Sequence, residues 1–213
     1  FQFASLRAVK NNTLLILSAA AFVLLSGAVG GGLLYPLDAR VLEAAQSRPS
    51  EVLDVAGTLL SVLGGVEFVG VAAISLSCGL VLGGRRALAV RLLVALVATG
   101  LVELALKMAL PQAPVPDGAM RTPDPSFFDL DTPYPFPSGH MLRVVILLGA
   151  IYVLWPHRLA RVVLLVLLIC SAASRVYLGT HWPTDVVGGA LLGVIGLLWM
   201  FRGIGQRVLK PET

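Results

Sequence analysis

Ser174-Arg175-Val176-Tyr177-Leu178-Gly179-Thr180-His181-Trp182-Pro183-Thr184-Asp185 joins two long apolar runs, residues 159–176 and 184–201. About 20 apolar residues span the hydrocarbon core of a bilayer, so the two runs read as a membrane hairpin with an Arg, a His and a carboxylate at its tip. Further apolar runs follow outward from it, at roughly 13–34, 66–82, 87–107 and 139–155. The expectation is an all-α fold, a six-helix transmembrane bundle forming a single integral membrane domain over residues 1–213. Composition agrees. The chain is 57% hydrophobic and 13% charged, whereas soluble domains carry about 25% charged residues.

Basic residues, Arg7 and Lys10, precede the first apolar run as they would in a signal peptide. The run is long for a signal core and lacks an obvious small-x-small cleavage site, so it reads as a retained helix. Cys78 and Cys170 fall inside predicted helices, where small apolar packing residues are expected rather than a disulfide or a metal pair.

The distribution of charge orients the chain. Folding the six runs back and forth puts Arg7, Lys10, Arg85, Arg86, Arg91, Arg158, Arg161, Arg202, Arg207 and Lys210 on one side with Glu212. The other side holds Arg40, Arg48, Lys107, Arg121, Arg143 and Arg175 against Asp38, Glu43, Glu51, Asp54, Asp117, Asp124, Asp129, Asp131 and Asp185. Lys/Arg-rich short loops stay cytoplasmic. Both termini are therefore expected inside a cell inner or plasma membrane, and the polar tip at 174–185 outside, facing the periplasm or exterior. The net charge of +4 is accounted for by this topology and gives no reason to expect nucleic-acid binding.

The outer connections differ in kind. Residues 38–64 mix apolar and charged positions as short interfacial helices do. Residues 111–137 are proline-rich, which blocks regular structure and suggests an outer loop acting as a cap or lid. The third connection, 177–183, is short and holds His181. The inner turns at 83–86 and 156–158 leave little room for chemistry.

Two segments carry the chemistry. In Pro137-Ser138-Gly139-His140 the serine is a good helix N-cap ahead of an apolar run. Amides at such a helix start bind anions, and glycine allows close approach of a ligand to the backbone. An ordinary capped helix with an interfacial histidine is the alternative. In the second segment, Arg175 stands at a helix end, where a bare arginine is costly unless paired or facing a ligand, and its planar fork suits phosphate oxygens. Asp185 lies one helical turn beyond His181. There it can accept from one ring nitrogen and leave the other as a nucleophile; a purely structural His–Asp bridge is the other reading. A zinc site built from His140, His181 and Asp185 is conceivable, but the basic residues on the same face favour an anion, so no metal is expected.

These segments resemble the second and third signature motifs of the type 2 phosphatidic acid phosphatase superfamily, in its bacterial membrane branch. The matching residues are Pro137-Ser138-Gly139-His140 and Ser174-Arg175, five residues, His181, three residues, Asp185. The resemblance implies that His181 attacks phosphorus, His140 protonates the leaving oxygen and Asp185 orients His181. It also implies that Arg175 and the Ser138 and Gly139 amides hold phosphate, with no metal or other cofactor. The family's first motif, a Lys, six residues, then Arg-Pro, is incomplete: Lys107 stands in place, but Pro114-Val115 occupies the position of Arg-Pro. Arg143, one turn after His140, or Arg121, in the proline-rich loop, could supply the missing charge. Glu103 is expected to pair with Lys107; Glu67 has no assigned role. The implied activity is hydrolysis of a lipid phosphate at the membrane, such as a polyprenyl diphosphate, phosphatidate, phosphatidylglycerophosphate or phosphorylated glycolipid. A phosphotransferase using an alcohol acceptor would need the same constellation. A lipid transporter fits less well, since the ionisable residues gather at one face and no inverted repeat is visible.

Overall fold

The computed structural model describes residues 2–122, 132–155 and 157–203, with side chains from residue 12 onward. Eight α-helices run through them: α1 Gln2–Gly30, α2 Tyr35–Gln46, α3 Glu51–Val62, α4 Val66–Leu82, α5 Arg86–Ala109, α6 Gly139–Leu154, α7 Arg158–Tyr177 and α8 Pro183–Met200. A single 3-10 turn, Asp117–Ala119, interrupts the proline-rich segment. No strand occurs among the described residues.

The helices are apolar outward. Leu14, Ile16, Val23, Leu24, Val71, Ile74, Val97, Leu101, Val162, Val166 and Ile169 all face away from the bundle. Apolar surface of that extent marks contact with lipid rather than water. Small and polar side chains (Ser77, Thr99, Ser171, Ser174) are buried instead. The chain is a multi-pass membrane protein. Four helices are long and apolar enough to cross a bilayer alone, the 19-residue Asn12–Gly30 part of α1 together with α5, α7 and α8. The pair α3–α4, bent by 46°, makes a fifth when taken as one broken span.

This differs in detail from six independent spans. The run at 66–82 forms α4, which reaches membrane length only together with α3. The run at 139–155 forms α6, 16 residues long. Helix α6 is the centre of the bundle, packed against α4, α5, α7 and α8, and most of it is buried. A helix enclosed by protein meets little lipid, so its length is set by its neighbours rather than by the bilayer. Residues 38–64 do form short helices, α2 and α3, although α3 continues into α4 through the bend. Cys78 and Cys170 are free thiols on outward surfaces, not packing residues. Much of the proline-rich segment expected to form a cap or lid, residues 123–131, lies outside the described residues.

Helices α6 and α8 meet through glycine. A Cβ on Gly188 would overlap the Phe136 ring, one on Gly189 the Ser138 carbonyl oxygen, and one on Gly193 would lie 2.8 Å from the Leu142 carbonyl oxygen. Small residues let membrane helices approach backbone to backbone. That approach fixes the start of α6 beside the start of α8, and the Ser138 amide donates to the Asp185 carbonyl over 2.9 Å. The two motif segments are thereby held together.

Candidate active site

The site begins at the end of α7. Arg175, in its last turn, is 1% exposed. Its carbonyl accepts from the amides of Thr180 and His181, at 3.2 and 3.3 Å, curling residues 175–181 into a tight turn. Gly179 makes that turn possible. Its φ is +69°, and a Cβ there would overlap the Ala119 carbonyl. The Gln46 amide donates to that same carbonyl and to the Tyr177 carbonyl, both over 2.8 Å, so α2 braces the turn from outside.

Helix α8 then starts at Pro183, where proline is tolerated because its missing N–H has no helical partner. Asp185 is fully buried. Its Oδ2 accepts the Trp182 amide at 2.9 Å and lies 3.4 Å from His181 Nδ1. The carboxylate thus holds His181 by Nδ1 and leaves Nε2 outside that contact. Burial pushes the His181 pKa below its ordinary value, Asp185 opposes the shift, and Lys107 and Arg175 reinforce it. Trp182 anchors the connection, donating its indole N–H to the Ala113 carbonyl over 2.8 Å and meeting Tyr35 edge-on at 5.6 Å.

His140 stands in the first turn of α6 behind the N-cap Ser138, whose hydroxyl accepts the Met141 amide at 3.4 Å. Arg175 reaches across from α7. Its Nη1 lies 3.4 Å from His140 Nδ1, and its Nη2 donates to the Ser61 hydroxyl. His140 Nε2 is buried without a hydrogen-bond partner among the described residues. It faces Gly64, where a Cβ would overlap the ring. Arg143 donates from Nε to the Gly64 carbonyl over 2.8 Å and faces Glu103 at 3.6 Å. The other oxygen of Glu103 is 3.2 Å from Lys107 Nζ. Arg175, His140 and Arg143 thus converge on the bend between α3 and α4.

His140, His181, Asp185, Lys107, Ser138, Gly139, Arg143 and Arg175 are assembled at one end of the bundle. Arg121 is held elsewhere. It forms a two-pronged ion pair with Asp54 (2.6 and 2.8 Å), lies over the Tyr177 ring at 5.1 Å, and shares Asp54 with the Tyr177 hydroxyl at 2.9 Å. That cluster ties the proline-rich segment to α3 and α7. Among the described residues no group of three or more His, Cys, Asp or Glu could hold a metal.

Three contributors were not legible in the sequence. Ser61 and Gly64 belong to a segment read as merely interfacial; the only signal is a Ser-x-x-Gly-Gly run at a helix break. Asp38 is 3% exposed and accepts both the Thr184 amide (2.9 Å) and hydroxyl (2.6 Å), capping α8 from α2. Burial, the larger effect, raises its pKa despite those bonds.

Residues 88–209, more than half of the chain, match the PAP2 superfamily. The chain belongs to that superfamily. It is 36% identical over 91 residues to phosphatidylglycerophosphatase B of Escherichia coli (strain K12), a stretch covering 41% of this chain and 35% of that one. To the undecaprenyl-diphosphatase of Sulfolobus acidocaldarius it is 40% identical over 67 residues, 29% of this chain and 30% of the other. The matched stretch is thus about a third of each relative's length. The fold is similar to the crystal structure of a transmembrane PAP2 type phosphatidylglycerolphosphate phosphatase from Bacillus subtilis. That likeness has a TM-score of 0.68 at 21% identity and covers 87% of this chain and 93% of that one.

Proposed function

We propose that the protein is a membrane lipid phosphatase working through a phosphohistidine. The observation that carries this reading is the pairing of His181, held by Asp185 through Nδ1, with His140 and Arg175 at one end of a membrane bundle. His181 Nε2 attacks phosphorus, and the bond to the lipid oxygen breaks as His140, protonated once the anionic substrate is bound beside it, delivers that proton to the leaving oxygen. Water then attacks the phosphohistidine and gives its proton to His140. The P–N bond breaks, releasing phosphate and restoring His181. Arg175, Lys107, Arg143 and the backbone at Ser138 and Gly139 neutralise the charge that builds on the phosphoryl oxygens. Most of the rate gain comes from this positioning and charge stabilisation. Between the two candidates for the missing first-motif charge, the reading favours Arg143 over Arg121, since Arg143 lies beside Glu103 and Lys107 whereas Asp54 holds Arg121 at a separate cluster.

The substrate is a lipid phosphate monoester or diphosphate, as in the names of the relatives above. The basic turns support a topology with both termini in the cytoplasm and the site at the outer leaflet. No metal or other cofactor takes part in these steps, so the test is phosphate release in detergent with EDTA across a panel of lipid phosphates. Release that persists in EDTA and disappears in His181→Ala is the expected result. Release that needs a divalent metal, or survives in His181→Ala, overturns the mechanism. No release from any lipid without an added alcohol acceptor would make the protein a transferase.

A further inference from the structure

The first-motif departure leaves a charged group whose role the reaction steps above do not use. Glu103 is 9% exposed, on a helix that crosses the membrane, where an acid is costly unless it is put to use. Its two oxygens are divided between two cations from different helices, Lys107 of α5 at 3.2 Å and Arg143 of α6 at 3.6 Å. The carboxylate also packs on Gly139, where a Cβ would overlap it, beside the helix start that faces phosphate. Pairing with Lys107 alone would be an ordinary i,i+4 contact. The second cation and the contact with Gly139 are not accounted for by that pairing.

We propose that Glu103 is a positioning residue of the phosphate site. It draws Arg143 into the place left open by the incomplete first motif and neutralises one unit of the site's positive charge before substrate arrives. The inference rests on the phosphate-site reading above. It separates two properties that a merely structural carboxylate would not separate: affinity for phosphate follows the charge of the site, and rate follows the placing of Lys107 and Arg143.

The test measures orthophosphate binding by titration calorimetry on the full-length protein in detergent, beside turnover of a lipid phosphate monoester. In Glu103→Gln the site gains one unit of net positive charge. Orthophosphate should bind at least about threefold more tightly, while kcat falls at least about tenfold because the two cations are no longer held. Glu103→Asp keeps the charge on a stem one methylene shorter, and should keep the wild-type Kd while losing kcat. Folded Glu103→Gln protein with unchanged or weaker orthophosphate binding overturns the proposal. So does Glu103→Asp with wild-type kcat, and that second arm decides the matter if the glutamine variant does not fold. Wild-type protein that binds no orthophosphate would sink the phosphate-site reading itself, and this inference with it.

Discussion

Replacing Gly64 by alanine adds a single methyl group at the bend between α3 and α4, and the structure says where that methyl goes. It would fall on Cγ, Cδ2 and Nε2 of His140. Gly64 is not among the glycines with positive φ, so alanine meets no backbone strain there and the collision is with the ring alone. His140 has little freedom to yield, being 5% exposed with Arg175 3.4 Å from its other nitrogen. Either the ring or the bend must give by more than about 1 Å to restore van der Waals contact, and a displacement of about 1 Å at a catalytic group already costs about 100-fold in rate. At about 1.4 kcal/mol per factor of ten that is about 2.7 kcal/mol of barrier. Overpacking of this kind also costs about 1–3 kcal/mol of stability. Gly70 supplies the control, since nothing lies within 4 Å of a Cβ built on it. The assay is phosphate release by purified Gly64→Ala and Gly70→Ala proteins, each checked for folding by thermal unfolding in detergent. Folded Gly64→Ala protein with a rate within about threefold of wild type, less than 0.7 kcal/mol, would refute the placing of His140 as the acid.

Arg143→Ala should lower kcat/KM at least about tenfold, roughly 1.4 kcal/mol. Arg121→Ala should lower the thermal midpoint by freeing the proline-rich segment from Asp54 while leaving the rate near wild type; the opposite pattern in the same phosphate-release assay would move the phosphate contact to Arg121. The pH profile follows from His181. Because burial lowers its pKa, the neutral nucleophile persists below the usual histidine value of about 6.5, and the acid limb of kcat/KM should have its midpoint below that pH. Asp185→Asn removes the contact that opposes the shift, so it should move the midpoint lower still while reducing the rate at neutral pH; a midpoint at or above the usual value contradicts the burial of the ring. Unfolded chain takes up the His181 proton more readily, so stability starts to fall as pH drops below about 6.5 and goes on falling until the folded ring protonates at its lower pKa. Gly189→Ala, whose Cβ would overlap the Ser138 carbonyl, should destabilise the α6–α8 contact by about 1–3 kcal/mol, read as a lower thermal midpoint.

Hydropathy made the bundle legible because a bilayer imposes a length on any helix that meets it. The runs that became α1, α5, α7 and α8 were readable for that reason; the run at 139–155 matched α6 to within a residue, but hydropathy did not show that this helix is surrounded by protein and answers to Gly188, Gly189 and Gly193 of α8 rather than to lipid. The spacing of Arg175, His181 and Asp185 was readable because all three sit on one helix end, one turn and the next helix start, where separation in sequence translates directly into separation in space. Ser61 and Gly64 had no such advantage. They lie more than a hundred residues from Arg175 and some eighty from Arg143, and only the packing of α3 against α7 and of α4 against α6 brings them to the site. Glu103 shows the same limit from the other side. Its pairing with Lys107 was visible as a four-residue step on one helix, whereas its contact with Arg143 crosses from α5 to α6. That crossing matters most for function. Local spacing recovers the His181–Asp185 contact, because both residues belong to one short stretch of covalent chain. The cations that must surround a phosphoryl group from several directions have to come from several helices, and which cation fills a missing place is decided by what else on those helices can hold it there.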